Sequence, residues 1–129
     1  MVEGMNKAMQ SRLNQARESL EEAKDLLMLD ADVKFVMNSL YYAFLYALWG
    51  LLESQGISAP AHSTAISLFE REFVLTGKIE KRFHDALREA FDLRPACDCE
   101  GKRKVIVEDV ERLLPIADKF LHTVGRFAG

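Results

Sequence analysis

The chain has 129 residues, of which 49% are apolar and 29% are charged. This composition is typical of a globular domain and excludes a disordered chain. The formal net charge of −3 argues against a broad basic surface for nucleic acid, so any such contact should be local. The two cysteines lie one residue apart, a poor arrangement for a structural disulfide, and no secretory signal opens the sequence. We therefore expect one helical domain over residues 1–129, located in the cytoplasm.

The N-terminal part of the sequence predicts a long helix followed by a tight turn. Apolar residues recur at helical spacing from Met5 to Leu27, with charged residues between them, which is typical of an amphipathic helix. Asp30 and Asp32 can cap a second helix by accepting hydrogen bonds from its free amides. A turn near residues 29–32 should therefore return the chain antiparallel to the first helix.

The second predicted helix contains the most apolar stretch of the chain, residues 38–52, NSLYYAFLYALWGLL. The stretch is apolar or aromatic on every side, and such a helix is normally buried. Its Tyr and Trp side chains need polar partners if they are buried, so it should also form one wall of the functional site. The run is shorter than the ~20 apolar residues of a membrane span, and Asn38 and Glu53 flank it, so we expect no span. The helix should continue to about Gln55 and stop at Gly56.

Two shorter helical patterns follow. Ser63 or Thr64 can cap a third helix, whose apolar residues fall largely on one face and which should stop near Gly77. A fourth helix is predicted over residues 79–93. Pro95 lacks a backbone donor and should end or kink this helix.

A polar segment, residues 98–104 (DCEGKRK), separates the fourth helix from a fifth. Apolar residues at helical spacing over 107–124 predict that last helix, and Pro115 within it predicts a kink. No segment alternates with period two over the length of a strand. The sequence therefore predicts an all-α fold, an antiparallel up-and-down bundle of four to five helices.

Most familiar chemical motifs are missing from the sequence. It has no glycine-rich phosphate loop, no Cys-x-x-Cys pair and no two histidines one helical turn apart. Cys97 and Cys99 with His62 or His84 would make only a weak metal site, so we expect no metal and no cofactor. The basic run at 102–104 either touches phosphate or, as is more usual, lies in a solvated loop.

Four blocks in a fixed order carry a family resemblance over most of the chain. They are NSLYYAFLYALWGLLESQGI from Asn38, HSTAISLFEREFVLTGKIEKRF from His62, LREAFDLRPACD from Leu87 and EDVERLLPIADKFL from Glu108. With these blocks the sequence resembles the HEPN domain family of small helical bundles. The resemblance implies a bundle that often forms a homodimer, a cleft concerned with nucleotide or RNA chemistry, and frequent pairing with a small nucleotidyltransferase.

The chain departs from the pattern of the active members of that family. Those members are metal-independent ribonucleases with an Arg followed a few residues later by a His at the end of this helix. Arg94 matches the arginine, but the next His is His122, on another helix. The chain instead resembles a branch with Leu-Arg and a downstream Asp, here Arg94 and Asp98. Whether it is an enzyme stays open at this point, and the missing His favours a protein that is not one.

The chemical requirements of RNA cleavage also favour a protein that is not a ribonuclease. Cleavage by the 2′-hydroxyl of RNA needs a group that moves a proton near neutral pH and a group that stabilises the charge of the phosphorane. Arg94 can perform only the second task. Asp98 would act as a base only if burial raised its pKa, whereas a nearby arginine lowers it. A plain ion pair between Arg94 and Asp98 is the simpler interpretation.

The predicted cleft for a nucleotide or RNA contains five residues from separate parts of the chain: Arg94, Asp98, Asn38, Tyr42 and His62. Each of them also has a simpler explanation. The aromatic rings of the second helix can stack on a base or pack the core. Asn38 can bind a nucleotide or be solvated at the wet end of its helix. His62 can bind an anion at the start of the third helix, or simply cap that helix or be solvated.

The leading hypothesis is a homodimeric HEPN-type module that binds nucleotide or RNA and docks a partner, without competent ribonuclease activity. The first alternative is a metal-independent, toxin-like ribonuclease that uses Arg94. The second is a structural partner of a nucleotidyltransferase, as in a toxin–antitoxin pair, supported by apolar stripes on the first and last helices.

Overall fold

The computed structural model describes residues 2–96 and 103–127, and over these residues the protein is a bundle of five α-helices without a strand. The helices are α1 (Val2–Met28), α2 (Val33–Ser54), α3 (His62–Phe69), α4 (Lys81–Leu93) and α5 (Val107–Phe127), and a π-helical turn, Glu70–Val74, extends α3. The all-α helical bundle predicted from the sequence is confirmed.

The turn between α1 and α2 forms where the sequence predicts it. Asp32 caps α2, because its side chain accepts a hydrogen bond of 3.0 Å from the amide of Lys34. Asp30 does not cap the helix but adopts a left-handed conformation with φ 55°, which Asp tolerates better than most residues. At the far end of the hairpin, Arg12 of α1 pairs with Glu53 of α2 at 2.9 Å. The two helices are therefore antiparallel.

A glycine allows α1 and α2 to approach closely. A Cβ atom on Gly50 would lie 3.1 Å from Cβ of Arg12 and 3.3 Å from the carbonyl oxygen of Met9. The second neighbour is backbone, so it can move only if α1 moves as a whole. The absence of a side chain at residue 50 thus sets the spacing between the two helices.

Helix α2 is the centre of the bundle and contacts α1, α3, α4 and α5. It contributes 13 residues that are buried. It is long and apolar enough to cross a membrane, but 72% of its most apolar window is buried by the other helices. This is the behaviour of the core helix that the sequence predicts.

The start of α3 differs from the prediction. Ser63 and Thr64 do not cap the helix; they lie in its first turn, and the capping position is Ala61, whose side chain makes no capping hydrogen bond. The helix therefore begins at His62, two residues before the start that a Ser63 cap would give, and the side chain of His62 in this first position contacts Tyr41 of α2. The predicted stop is close to the observed one, since Gly77 has φ 76° after the π-helical turn.

The ends of α4 and α5 follow the prolines in different ways. Helix α4 ends at Leu93, and Arg94 is extended, with φ −61° and ψ 149°, as expected for a residue before proline. Helix α5 runs through Pro115 without ending. The kink expected at Pro115 stays a prediction.

Candidate functional site

Three side chains from different helices meet on one side of α2, and we call them the Tyr–His–Arg cluster: Tyr41, His62 and Arg94. The hydroxyl oxygen of Tyr41 lies 2.8 Å from Nδ1 of His62. The guanidinium carbon of Arg94 lies 5.5 Å from the centroid of the Tyr41 ring. The cluster therefore combines a phenol, an imidazole and a permanent positive charge.

The end of α4 fixes the position of Arg94. Its guanidinium carbon lies 3.8 Å from the centroid of the Phe91 ring, a stacked cation–π arrangement. One of its N–H groups donates a short hydrogen bond to the carbonyl oxygen of Phe91, which lies in the last turn of the helix. Carbonyls in the last turn lack partners within the helix, so the Arg94 side chain supplies a hydrogen-bond donor for one of them. The same hydrogen bond holds the side chain in place.

Burial and charge set the protonation states of Tyr41 and His62. Tyr41 is fully buried, and this burial raises the pKa of its phenol to about 12 although the charge of Arg94 opposes the rise. Partial burial lowers the pKa of His62 below its usual range, and the positive charge of Arg94 lowers it further. At neutral pH the cluster therefore holds a neutral phenol beside a neutral imidazole.

The hydrogen bond between these two side chains also determines which nitrogen of His62 carries the proton. The hydroxyl of Tyr41 is buried, and Nδ1 of His62 is its hydrogen-bond partner among the described residues. A buried hydroxyl needs an acceptor, so we assign the O–H of Tyr41 as the donor and Nδ1 as the acceptor. Nε2 then carries the imidazole proton and makes His62 a hydrogen-bond donor at that atom.

Tyr42 joins the cluster to a neighbouring cleft. Its half-buried ring lies 5.3 Å from the Tyr41 ring and 6.1 Å from the His62 ring, centroid to centroid. Tyr42 also lines an open cavity of about 200 Å³ between α1 and α2, which we call the α1–α2 cleft. Six residues line this cleft: Ser19, Glu22, Asn38, Ser39, Tyr42 and Tyr46.

The structure brings together several of the residues that the sequence singled out. Arg94 and His62 belong to the Tyr–His–Arg cluster, Tyr42 contacts it, and Asn38 lines the adjoining α1–α2 cleft. Asp98 lies outside the described residues, and with it the predicted ion pair to Arg94.

Sequence reasoning missed the role of Tyr41, which it treated as one of several core aromatics. One signal for this role was present in the sequence, because a buried Tyr hydroxyl needs a hydrogen-bond partner elsewhere in the chain. His62 was assigned to anion binding or to capping and solvation, whereas its side chain contacts Tyr41.

The expected polar partners of the α2 aromatics are present for Trp49 as well. Its indole N–H donates to the carbonyl oxygen of Ala59 at 2.8 Å, which ties the loop after α2 to that helix. The guanidinium carbon of Arg12 lies 5.0 Å from the centroid of the indole, and the His62 ring lies 5.5 Å from it at 75°. Trp49 is thus a structural neighbour of the cluster.

The weak metal candidate from the sequence, Cys97 and Cys99 with His62 or His84, lies only partly within the residues that the structure describes. No group of three or more His, Cys, Asp or Glu side chains there is arranged to hold a metal ion. Cys97 and Cys99 lie outside those residues.

The basic run before α5 takes part in an ion-pair network. Arg103 donates two hydrogen bonds of 2.8 Å to the buried carboxylate of Asp109, and Arg112 reaches the same carboxylate at 3.3 Å. Glu89 of α4 pairs with both arginines. The backbone amide of Ile106 donates to Asp109 at 2.9 Å, which caps the start of α5. Arg103 therefore has a structural role here, which neither interpretation of the basic run included.

The fold and the cluster define a class of protein, a small helical bundle with an arginine presented at the end of its fourth helix. Comparison with known families gives the same result. The model of the family described as HEPN domain matches residues 9–127. The chain therefore belongs to the HEPN domain family, as the four sequence blocks indicate.

Two relatives extend this comparison. A "UPF0332 protein" of Thermotoga maritima is 33% identical over 111 residues, which cover 86% of this chain and 83% of the relative. A protein of Methanocaldococcus jannaschii named "Putative toxin MJ0142" is 24% identical over 115 residues, which cover 89% of this chain and 78% of that protein. Both similarities extend over most of the bundle.

Proposed function

We propose that this HEPN-family protein binds the phosphate of a nucleotide or of RNA at the Tyr–His–Arg cluster and lacks competent ribonuclease activity. The observation that carries the proposal is the position of the Arg94 guanidinium, stacked on Phe91 and adjacent to the Tyr41–His62 pair. A guanidinium suits phosphate oxygens because its N–H groups lie in one plane and it stays charged at all relevant pH values.

The protonation state of His62 supports binding over catalysis. In the tautomer assigned above, the lone pair of Nδ1 accepts from Tyr41, 2.8 Å away, and Nε2 carries the proton. A neutral imidazole in this tautomer donates a hydrogen bond to a phosphate but has no lone pair available for removing a proton. Arg94 and His62 thus form a donor pair for an anion.

Anisotropy titration of a fluorescein-labelled single-stranded RNA tests the proposal. Arg94→Gln should weaken binding roughly tenfold or more, because a hydrogen bond between charged groups contributes about 1.5–3 kcal/mol. Arg82→Gln is the matched control, since Arg82 also stacks on a ring of α4, at 4.7 Å from the Phe83 centroid, but at the other end of the helix. Inorganic phosphate should compete with the RNA. Equal affinities of both variants, or no binding at millimolar protein, would refute the proposal.

We further propose that a second copy of the chain docks at the turn between α1 and α2, in line with the homodimer that the family resemblance implies. Large apolar side chains at this turn support it, because Met28, Leu29 and Phe35 are 81%, 78% and 64% exposed. Light scattering over a concentration series should give a dimer mass that Leu29→Asp lowers to the monomer. A monomer at all concentrations contradicts self-association.

Coexpression with a nucleotidyltransferase is the separate test for a partner of that class.

One observation favours a second candidate function, a metal-independent ribonuclease. His62 supplies an imidazole close to Arg94, although the sequence has no His in the expected place after it. The Methanocaldococcus jannaschii relative is named "Putative toxin MJ0142", and a ribonuclease of this kind would be toxin-like. In this case His62 would have to take the other tautomer, with Nδ1–H donating to Tyr41, so that Nε2 removes the proton of the RNA 2′-hydroxyl.

Incubation of RNA with the protein and a chelator separates the two candidates. The ribonuclease predicts cleavage by the wild type that both Arg94→Ala and His62→Asn abolish. Intact RNA in the wild-type lane excludes it and leaves phosphate binding as the function.

A further inference from the structure

We infer that the α1–α2 cleft is a nucleobase subsite that selects guanine over uracil. The inference rests on the proposed phosphate site and adds a base specificity to it. The cleft holds about 200 Å³. Pockets for drug-sized ligands hold about 300–1,000 Å³, so this one suits a smaller planar group such as a single base.

The polar side chains of the cleft determine which base fits. Glu22 presents a carboxylate, which only accepts hydrogen bonds. Guanine offers two parallel donors on one edge, N1–H and the 2-amino group, and these match the two oxygens of a carboxylate. The same edge of uracil has carbonyl oxygens on both sides of its single N–H, and they repel a carboxylate. Asn38 and Ser39 add donors for the acceptors of guanine.

The aromatic side chains of the cleft provide a surface for stacking. The rings of Tyr42 and Tyr46 have centroids 5.8 Å apart and are tilted by 39°, and both rings are only partly buried. A base can therefore stack on one ring while its edge meets the polar residues. Because every base has an aromatic face, stacking contributes affinity without distinguishing the bases. The carboxylate of Glu22 would provide the discrimination between guanine and uracil.

The distribution of charge sets the direction in which a nucleotide lies. The carboxylate of Glu22 lines the cleft, the guanidinium of Arg94 lies in the cluster, and Tyr42 both lines the cleft and contacts Tyr41 of the cluster. The negative phosphate is repelled by the first group and attracted by the second. The base should therefore enter the cleft while the phosphate meets Arg94 and His62, with the Tyr42 ring between them.

The single tryptophan of the chain gives a direct assay. Trp49 contacts His62, at 5.5 Å between ring centroids, so its fluorescence should report ligands at the cluster. Guanosine monophosphate and uridine monophosphate are titrated into the wild type, Glu22→Gln, Glu18→Gln and Arg94→Gln. Glu18→Gln removes the same charge from the neighbouring turn of α1; Glu18 shares a second groove with Glu22 but is not among the residues that line the α1–α2 cleft. We expect the wild type to prefer guanosine monophosphate at least about fivefold, since a bidentate base contact contributes ~1–3 kcal/mol of discrimination.

The variants separate failure of the base subsite from failure of the phosphate site. Glu22→Gln should reduce the preference for guanine to about twofold or less, while Glu18→Gln keeps it and Arg94→Gln weakens both nucleotides about tenfold. Binding that depends on Arg94 but not on the base overturns the guanine subsite and leaves the phosphate site standing. Equal losses in Glu22→Gln and Glu18→Gln also overturn it. Binding that is absent, or indifferent to Arg94, overturns both.

Discussion

The substitution Tyr41→Phe tests the protonation assignment on which the proposed function depends. It deletes only the hydroxyl whose oxygen lies 2.8 Å from Nδ1 of His62. The ring keeps its volume and its contacts with Tyr42 and Phe91, at 5.3 and 5.8 Å between centroids. The expected effect is therefore confined to one hydrogen bond and to the imidazole that accepts it.

The size of the effect follows from the burial of the pair. A typical intramolecular hydrogen bond contributes about 0.5–1.5 kcal/mol to stability, and the acceptor left without a donor is only partly buried. We expect the free energy of unfolding to fall by about 1 kcal/mol. The pKa of His62 should stay below its usual range, because burial and the charge of Arg94, which lower it, are both retained.

Nitrogen chemical shifts of the imidazole in labelled protein report the tautomer directly, and urea denaturation reports the stability. The wild type should show His62 with the proton on Nε2, and Tyr41→Phe should show a mixture of tautomers. His122→Gln identifies the resonances of an exposed histidine for comparison. A wild-type His62 protonated on Nδ1 would refute the assignment and would make His62 available as a base.

Three further predictions concern pH and stability. Because the pKa of His62 is lowered in the folded protein, the free energy of unfolding should decrease as the pH falls below about 6.5, the ordinary histidine value. In urea denaturation, His62→Gln should remove this contribution to the decrease, and His122→Gln should not. The hydrogen bonds from Arg103 hold the pKa of Asp109 at about 2, so the carboxylate stabilises the fold above the ordinary aspartate range and loses this effect as the pH falls toward 2. Asp109→Asn should lower the free energy of unfolding by about 1 kcal/mol at neutral pH, a small effect because the Arg103 side chain is half-exposed. An unchanged urea midpoint would contradict a stabilising role for the network. Gly50→Leu should lower the melting temperature and cost about 1–3 kcal/mol, since its side chain would overlap α1; an unchanged melting temperature would show that the two helices can separate freely.

The sequence by itself determined the helices and much of their boundaries. Periodicity of apolar residues, the capping carboxylate of Asp32 and the restriction that Pro95 places on Arg94 are all local, so they act before any tertiary contact forms. The same is true of the burial of α2, because a helix apolar on every side has to be enclosed by others. The blocks that resemble the HEPN family, confirmed by the match over residues 9–127, also come from the sequence alone.

Only the tertiary structure decided what the site contains. Tyr41 lies in α2, His62 in α3 and Arg94 directly after α4, and no periodicity relates them. Nothing local therefore indicates that an imidazole accepts from a buried phenol beside a guanidinium. The start of α3 was also missed, since neither Ser63 nor Thr64 caps it and the first helical residue, His62, is one that contacts α2. Glu22 entered the site only because the antiparallel hairpin places α1 beside α2. Local signals specify helices, whereas the packing of distant helices brings a cluster together and sets its protonation states.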